Sequence, residues 1–216
     1  MSALNGFDQI ASIYDLLNRM VFGSAVRRAQ AHYLSDISAR SNLLILGGGS
    51  GWLLAKITAA IPDAEIWYID ASQKMIELSI KRTNTASRIH FIHGTEEDIP
   101  AAISFDMIIT PFFLDLFEEE TLHGLIHRIS RSLRGSGIWL AADFVNNYTW
   151  WQRLLLKVMY SVIHRMCRIE ARKLPDWQSC LQKNGFIKMK SKFFFAGFIE
   201  STVFHRLRSL QFNQSA

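Results

Sequence analysis

Two cysteines, Cys167 and Cys180, are all that the chain holds. They have no metal-ligand spacing and cannot build a disulfide framework, so both are expected to be reduced thiols in a cytoplasmic protein. No apolar run approaches the roughly 20 residues that a membrane-spanning helix needs. The opening "MSALNGFDQIASIYDLLNRM" is amphipathic and too polar for a secretory leader. No internal repeat and no low-complexity linker interrupts the chain. A Ser–His–Asp grouping and the phosphate loop G-x-x-x-x-G-K-[ST] are both missing. His90 and His93 sit three apart on a strand and point to opposite faces. His123 and His127 lack a third ligand, so no metal site is expected.

What is there is a globular composition, 49% hydrophobic and 20% charged over 216 residues, enough for one domain with a substantial core. The net charge of +5 is concentrated. Residues 148–173 carry six Lys and Arg against Glu170 alone, a local excess equal to that of the whole chain. So local a charge argues against nucleic acid as a partner.

Short β-rich runs alternate with helical ones. Strands are predicted at 42–46, 64–70, 88–94, 105–110 and 137–144, with helices at 51–61, 72–84 and 118–134. That alternation specifies an α/β fold, a doubly wound and mostly parallel sheet covered on both faces. After residue 145 the rhythm changes to a long amphipathic helix over 149–173, broken near Pro175, and a shorter helix closing at Gly185. "FIKMKS" and "KFFFAGFIESTVFHRL" then read as an antiparallel hairpin on the sheet edge. Helical sequence over roughly 4–35 forms an N-terminal cap. We expect a single domain over 1–216: cap 1–40, core 41–145, and basic helix plus hairpin 146–216.

The stretch "NLLILGGGSGWLLAKI" brings glycine after the first strand, where open α/β sheets bind ligands. A dinucleotide fingerprint G-x-G-x-x-G would need glycine where Trp52 stands. The spacing present is G-x-G-x-G, at Gly47, Gly49 and Gly51. An acid, Asp70, ends the second strand, where a carboxylate can accept from both hydroxyls of a ribose.

These features resemble class I S-adenosylmethionine-dependent methyltransferases. "FDQIASIYDLLNRMVFGSAVRRAQ", "HFIHGTEEDIP", "ISRSLRGSGIWLAADF", "LPDWQSCLQKNGF" and "GFIESTVFHR" are similar to segments of the ubiquinone/menaquinone C-methyltransferase family. The resemblance implies a seven-stranded Rossmann-like sheet and S-adenosylmethionine as cofactor, with S-adenosylhomocysteine as product. It assigns cofactor contacts to Gly47, Gly48, Gly49, Ser50, Gly51, Asp70 and Ala71. Met75 lies against the adenine or fills the core, and Ser72 rivals Asp70 as the cap of the following helix. Tyr14 would lie over the methionyl end of the cofactor, and Thr95 and Glu96 near its adenine amino group. Thr110 lies where the reacting methyl should sit, with Phe112 and Phe113 as pocket walls or core, and Asp143 is placed at the substrate mouth or as the cap of a loop. No catalytic base is identified.

Two positions depart from the family pattern. Ile45 replaces an acid on the first strand, and Thr95 replaces an aspartate. The expected activity is methyl transfer to a small organic acceptor, aromatic or quinone-like. The alternative is a degenerate protein of the same fold that binds cofactor weakly or not at all and acts through protein contacts. For the basic helix the plain reading is an apolar stripe on the domain with its cations in water, and the favoured one is a lid that covers the active site. Peripheral membrane contact through 149–173 is the minority reading.

Overall fold

The computed structural model describes residues 21–39, 41–83, 88–145, 149–166 and 173–207, the side chains of 162–166 excepted. Most of the predicted N-terminal cap, Tyr14 included, lies outside them.

Seven strands form one sheet in the order β3-β2-β1-β4-β5-β7-β6. β1 (Asn42–Leu46) lies at its centre and pairs parallel with both β2 (Glu65–Asp70) and β4 (Phe105–Pro111). β3 (Arg88–His93) extends one side and β5 (Leu133–Phe144) the other, again in parallel. β6 (Phe186–Phe194) and β7 (Ile199–Arg206) add the antiparallel edge. The predicted sheet is the observed one, and strand order reverses between β1 and β4, which opens the crevice for a ligand.

Helices cover both faces, because Leu43, Leu44, Ile45 and Leu46 are all buried and leave neither side of β1 for water. One core joins Leu44, Leu46, Trp67 and Ile108 to α4 (Glu119–Ser130) and α6 (Trp177–Lys183). The opposite core joins Leu43, Ile45 and Tyr68 to Leu53, Leu54 and Ile57 of α2 (Trp52–Ala60) and Ile76 of α3 (Gln73–Arg82). A third, aromatic core lies at the antiparallel edge. There Phe22 and α1 (Ala25–Ala31) meet Phe112, Phe144, Phe198 and the inner face of α5 (Trp150–Met166).

Two boundaries differ from the sequence reading. The helix predicted over 118–134 stops at Ser130, and β5 starts at Leu133, four residues early. The Ser130 and Ser132 hydroxyls donate back to the His127 and Ile129 carbonyls, while the Phe105 amide claims the Ser132 carbonyl for the sheet. The hairpin turn also moves. It falls at 195–198, where Phe195, Ala196 and Gly197 all have positive φ, rather than near Ser191. The edge strand β6 carries Lys188, Lys190 and Lys192, charges that discourage pairing with another chain.

Candidate functional site

The glycine loop follows directly from β1, and each glycine has its own neighbour. A Cβ at Gly47 would fall 2.8 Å from the Phe113 ring, which reaches across the crevice from the end of β4. One at Gly48 would sit 2.3 Å from the Tyr68 ring, and one at Gly51 would sit 2.6 Å from the Ser79 backbone, where α2 and α3 press together. Gly49 alone faces open space, with no heavy atom within 4 Å of a Cβ, and its φ is +66°. Thus three of the glycines serve packing within the protein, and Gly49 leaves backbone accessible to something else. Tyr68 supports the loop from below, donating from its hydroxyl to the Gly49 carbonyl at 2.6 Å. Burial pushes its phenol well above the ordinary range, so it remains a neutral donor.

Asp70 ends β2 under this loop. Its Oδ2 accepts the Gly49 amide at 2.9 Å and its Oδ1 accepts the Ser72 amide at 2.9 Å. The rival positions for the helix cap both take part: Ser72 caps α3 through its Oγ, which accepts the Met75 amide. Asp70 holds the loop and the turn together. Ser50 is buried and accepts from Arg82 at 3.0 Å, bringing a cation to the loop. Met75 is buried at the start of α3.

Trp52, the residue that excluded a dinucleotide loop, has the Arg27 guanidinium 5.4 Å and the Lys56 ammonium 6.0 Å from its ring centre. It fixes α1 to α2 rather than entering the crevice.

At the end of β3, His93 pairs in register with Asp70 and brings its Nε2 within 3.2 Å of the Ala71 carbonyl. That ring lies exposed at the rim of the same crevice. Sequence reading weighed His93 only as a metal ligand and missed this position, which the strand register alone could have signalled. Thr95 caps the turn Glu96–Asp98, accepting the Glu97 amide while Asp98 accepts the Thr95 amide at 2.8 Å. Glu96 turns to Arg128 at 3.0 Å, so its carboxylate is spent on an ion pair with α4. The acid lying against Gly94 is Asp98, whose Oδ2 would be 2.2 Å from a Cβ there.

Beyond β4 the structure rearranges the sequence-based picture. Thr110 is fully buried and its hydroxyl accepts from Trp139 Nε1 at 2.9 Å, so that side chain serves the core rather than the crevice. Phe112 is buried too, packing on Phe144 at 5.0 Å, with φ +56° in a region costly for a bulky residue. Phe113, in contrast, lies only partly buried between Gly47 and Phe117, and is the aromatic that borders the crevice. Ile45 is fully buried among Leu43, Leu53 and Tyr68, so the missing acid has become core.

Asp143 takes the loop-capping place, not the substrate mouth. Its Oδ2 accepts the Leu114 and Asp115 amides at 3.0 and 3.3 Å, and its Oδ1 accepts the Phe144 amide at 2.8 Å. Asp115, also buried, lies beside it, and Tyr160 on α5 donates to the Asp115 carbonyl at 3.2 Å. Burial pushes the Asp115 carboxyl up to about 7 and Asp143 well above its ordinary value. Two carboxylates so close in a dry site cannot both ionise, so the pair keeps a proton near neutrality. With three amides aimed at Asp143, we assign that proton to Asp115. No sequence signal marks this pairing, because Asp115 follows β4 while Asp143 lies near the end of β5, and they meet only when the two strands lie side by side. Among the described residues no cluster of three or more His, Cys, Asp or Glu could hold a metal ion.

Known proteins resemble this chain in sequence and in fold. Residues 43–137 match a family described as a methyltransferase domain. A malonyl-[acyl-carrier protein] O-methyltransferase of Halalkalibacterium halodurans is 24% identical over 151 residues, 64% of this chain and 53% of that protein. A demethylmenaquinone methyltransferase of Thermotoga maritima is 32% identical over 114 residues, 51% of this chain and 48% of that protein. The chain thus spans about half the length of these relatives. Among solved structures, the Burkholderia thailandensis 1,6-didemethyltoxoflavin N1-methyltransferase, with bound S-adenosylhomocysteine, superposes with a TM-score of 0.69 at 15% identity, covering 95% of this chain and 88% of that one. A chain from a Haloferax volcanii complex of a methyltransferase with its Trm112 activator gives a TM-score of 0.73 at 14% identity, covering 96% and 98%. These two likenesses show a shared fold.

Proposed function

We propose that this chain, a class I S-adenosylmethionine-dependent methyltransferase by its fold and its domain match, binds S-adenosylmethionine in the β1–β2–β4 crevice and passes its methyl group to a small organic acceptor. The observation that carries the reading is Gly49: open above, with left-handed backbone, and tied from below by Asp70 and Tyr68. A loop held this firmly while facing open space suits a ligand that needs close backbone approach.

The cofactor supplies a methyl already activated as a sulfonium. The residues therefore have binding and alignment to perform. Asp70, at the end of β2 beneath the loop, accepts from the ribose hydroxyls. Gly47, Gly48, Gly49, Ser50 and Gly51 supply the loop for the methionyl end. Ala71 and Met75 line the side of the adenine, with Asp98 and His93 as polar neighbours in place of Thr95 and Glu96. Thr110 contributes through its backbone, and Phe113 excludes water beside the reacting group. The acceptor is aromatic or quinone-like in this reading, supported by the Phe113–Phe117 pair and by a relative named as a demethylmenaquinone methyltransferase.

Isothermal titration with S-adenosylmethionine and S-adenosylhomocysteine tests the site. Micromolar binding lost in Gly49→Ala, with the fold intact, supports the assignment. A folded wild type that binds neither ligand overturns it and leaves the degenerate, protein-binding alternative.

A further inference from the structure

A helix with its apolar stripe on the domain and only cations in water would have a polar outer face, and the structure supplies a different one. Gln152, Leu156 and Tyr160 face inward, with Trp151, Leu155 and Met159 packed at the margins of the aromatic core. Outward stand Trp150, Leu154 and Val158, with exposures of 76%, 56% and 53%. The spacing of four residues aligns them as one stripe along the helix surface. Beside it are Arg153 and Lys157, also exposed. No acid lies between residues 149 and 166, and the whole net charge of the chain equals that of residues 148–173. The helix is therefore apolar on two sides. One side is covered by its own domain, and the other presents a tryptophan, two aliphatics and an edge of cations.

We infer that this outer face is a docking surface for an anionic lipid membrane, with α5 lying in the plane of the headgroups. Charge decides the occupant. A basic apolar helix face gains from anionic headgroups and from burial of its stripe in the acyl boundary, and an exposed Trp is suited to that boundary. Cations next to a bilayer surface are drawn by its negative potential and released by salt. α5 is joined to the crevice side of the sheet through Tyr160, which donates to the Asp115 carbonyl, so docking would hold the acceptor end of the crevice toward the membrane. The orientation rests on the methyltransferase reading, whereas the docking itself does not.

Co-sedimentation of the full chain with phosphatidylcholine vesicles, with and without phosphatidylglycerol, tests it. Binding at least tenfold stronger to the anionic vesicles and abolished by high salt is expected. The double variant Leu154→Ser, Val158→Ser and the single variant Lys157→Glu should each weaken it about tenfold or more, with unchanged thermal midpoint and unchanged S-adenosylhomocysteine titration. No binding to anionic vesicles at low salt overturns the inference, as does equal binding by wild type and the stripe variant. Self-association through this face without lipid binding overturns it too. Failure of the cofactor titration alone would leave the docking intact and remove only the orientation.

Discussion

Replacing Asp115 with asparagine removes the proton that the buried acid pair holds, and its consequence is a change in how stability depends on pH. Burial raises the Asp115 carboxyl from 3.8 to about 7. The folded state therefore binds a proton more tightly than the unfolded chain. Its stabilising effect is complete below the unfolded value of 3.8 and is lost as pH rises through about 7. For Asp115 by itself, a shift of about three pKa units at ~1.4 kcal/mol each limits that loss to ~4 kcal/mol. The substituted amide is neutral at every pH and can donate to Asp143 as the protonated carboxyl does. Urea denaturation followed by tryptophan fluorescence between about pH 5 and about pH 8 should show wild-type stability falling by a few kcal/mol, and a much flatter profile for Asp115→Asn. The companion Asp143→Asn turns an amide donor toward the Leu114, Asp115 and Phe144 amides. It should cost ~2–3 kcal/mol at all pH values. Equal slopes for wild type and Asp115→Asn would refute the shared proton.

Further outcomes follow from the loop and its supports. Gly48→Ala drives a methyl into the Tyr68 ring and should lower stability by ~1–3 kcal/mol in thermal melts, whereas Gly49→Ala meets no atom and should cost only ~1 kcal/mol while abolishing cofactor binding. Tyr68→Phe deletes the hydroxyl that supports the Gly49 carbonyl, leaving it to be solvated, and should cost ~1 kcal/mol and weaken S-adenosylhomocysteine several-fold by titration. Asp70→Asn cannot accept two amides and ribose hydroxyls together, so cofactor affinity should fall at least tenfold, read by the same titration. Trp139→Phe strands the buried Thr110 hydroxyl without its donor and should lower the thermal midpoint with no change in cofactor affinity, since that hydroxyl lies in the core.

The order of elements from β1 to β5, the glycine loop and Asp70 were legible in the sequence. Each is a local signal: an apolar run, a cluster of glycines, or an acid closing a strand. The hairpin turn was misplaced because Ser191–Lys192 resembles a turn in composition, while the positive φ values at Phe195 and Ala196 accompany packing of Phe195 against Phe22 and Trp151. Thr110 and Phe112 stand beside the end of a strand, where either crevice or core residues are expected. Which way a side chain points there depends on whether Trp139 and Phe144, brought in by β5, receive it.

Local pattern alone dictates a mostly parallel α/β sheet, a glycine loop at the end of its first strand, and a concentration of positive charge in one segment. Those follow from periodicity and composition, which act over a few neighbouring residues. The folded arrangement settles which glycine faces open space, which acids share a proton and which side of α5 remains uncovered. Each is a relation between residues far apart in the chain, as Asp143 is from Asp115 and Tyr68 from Gly48, and only the closing of the sheet brings them into contact.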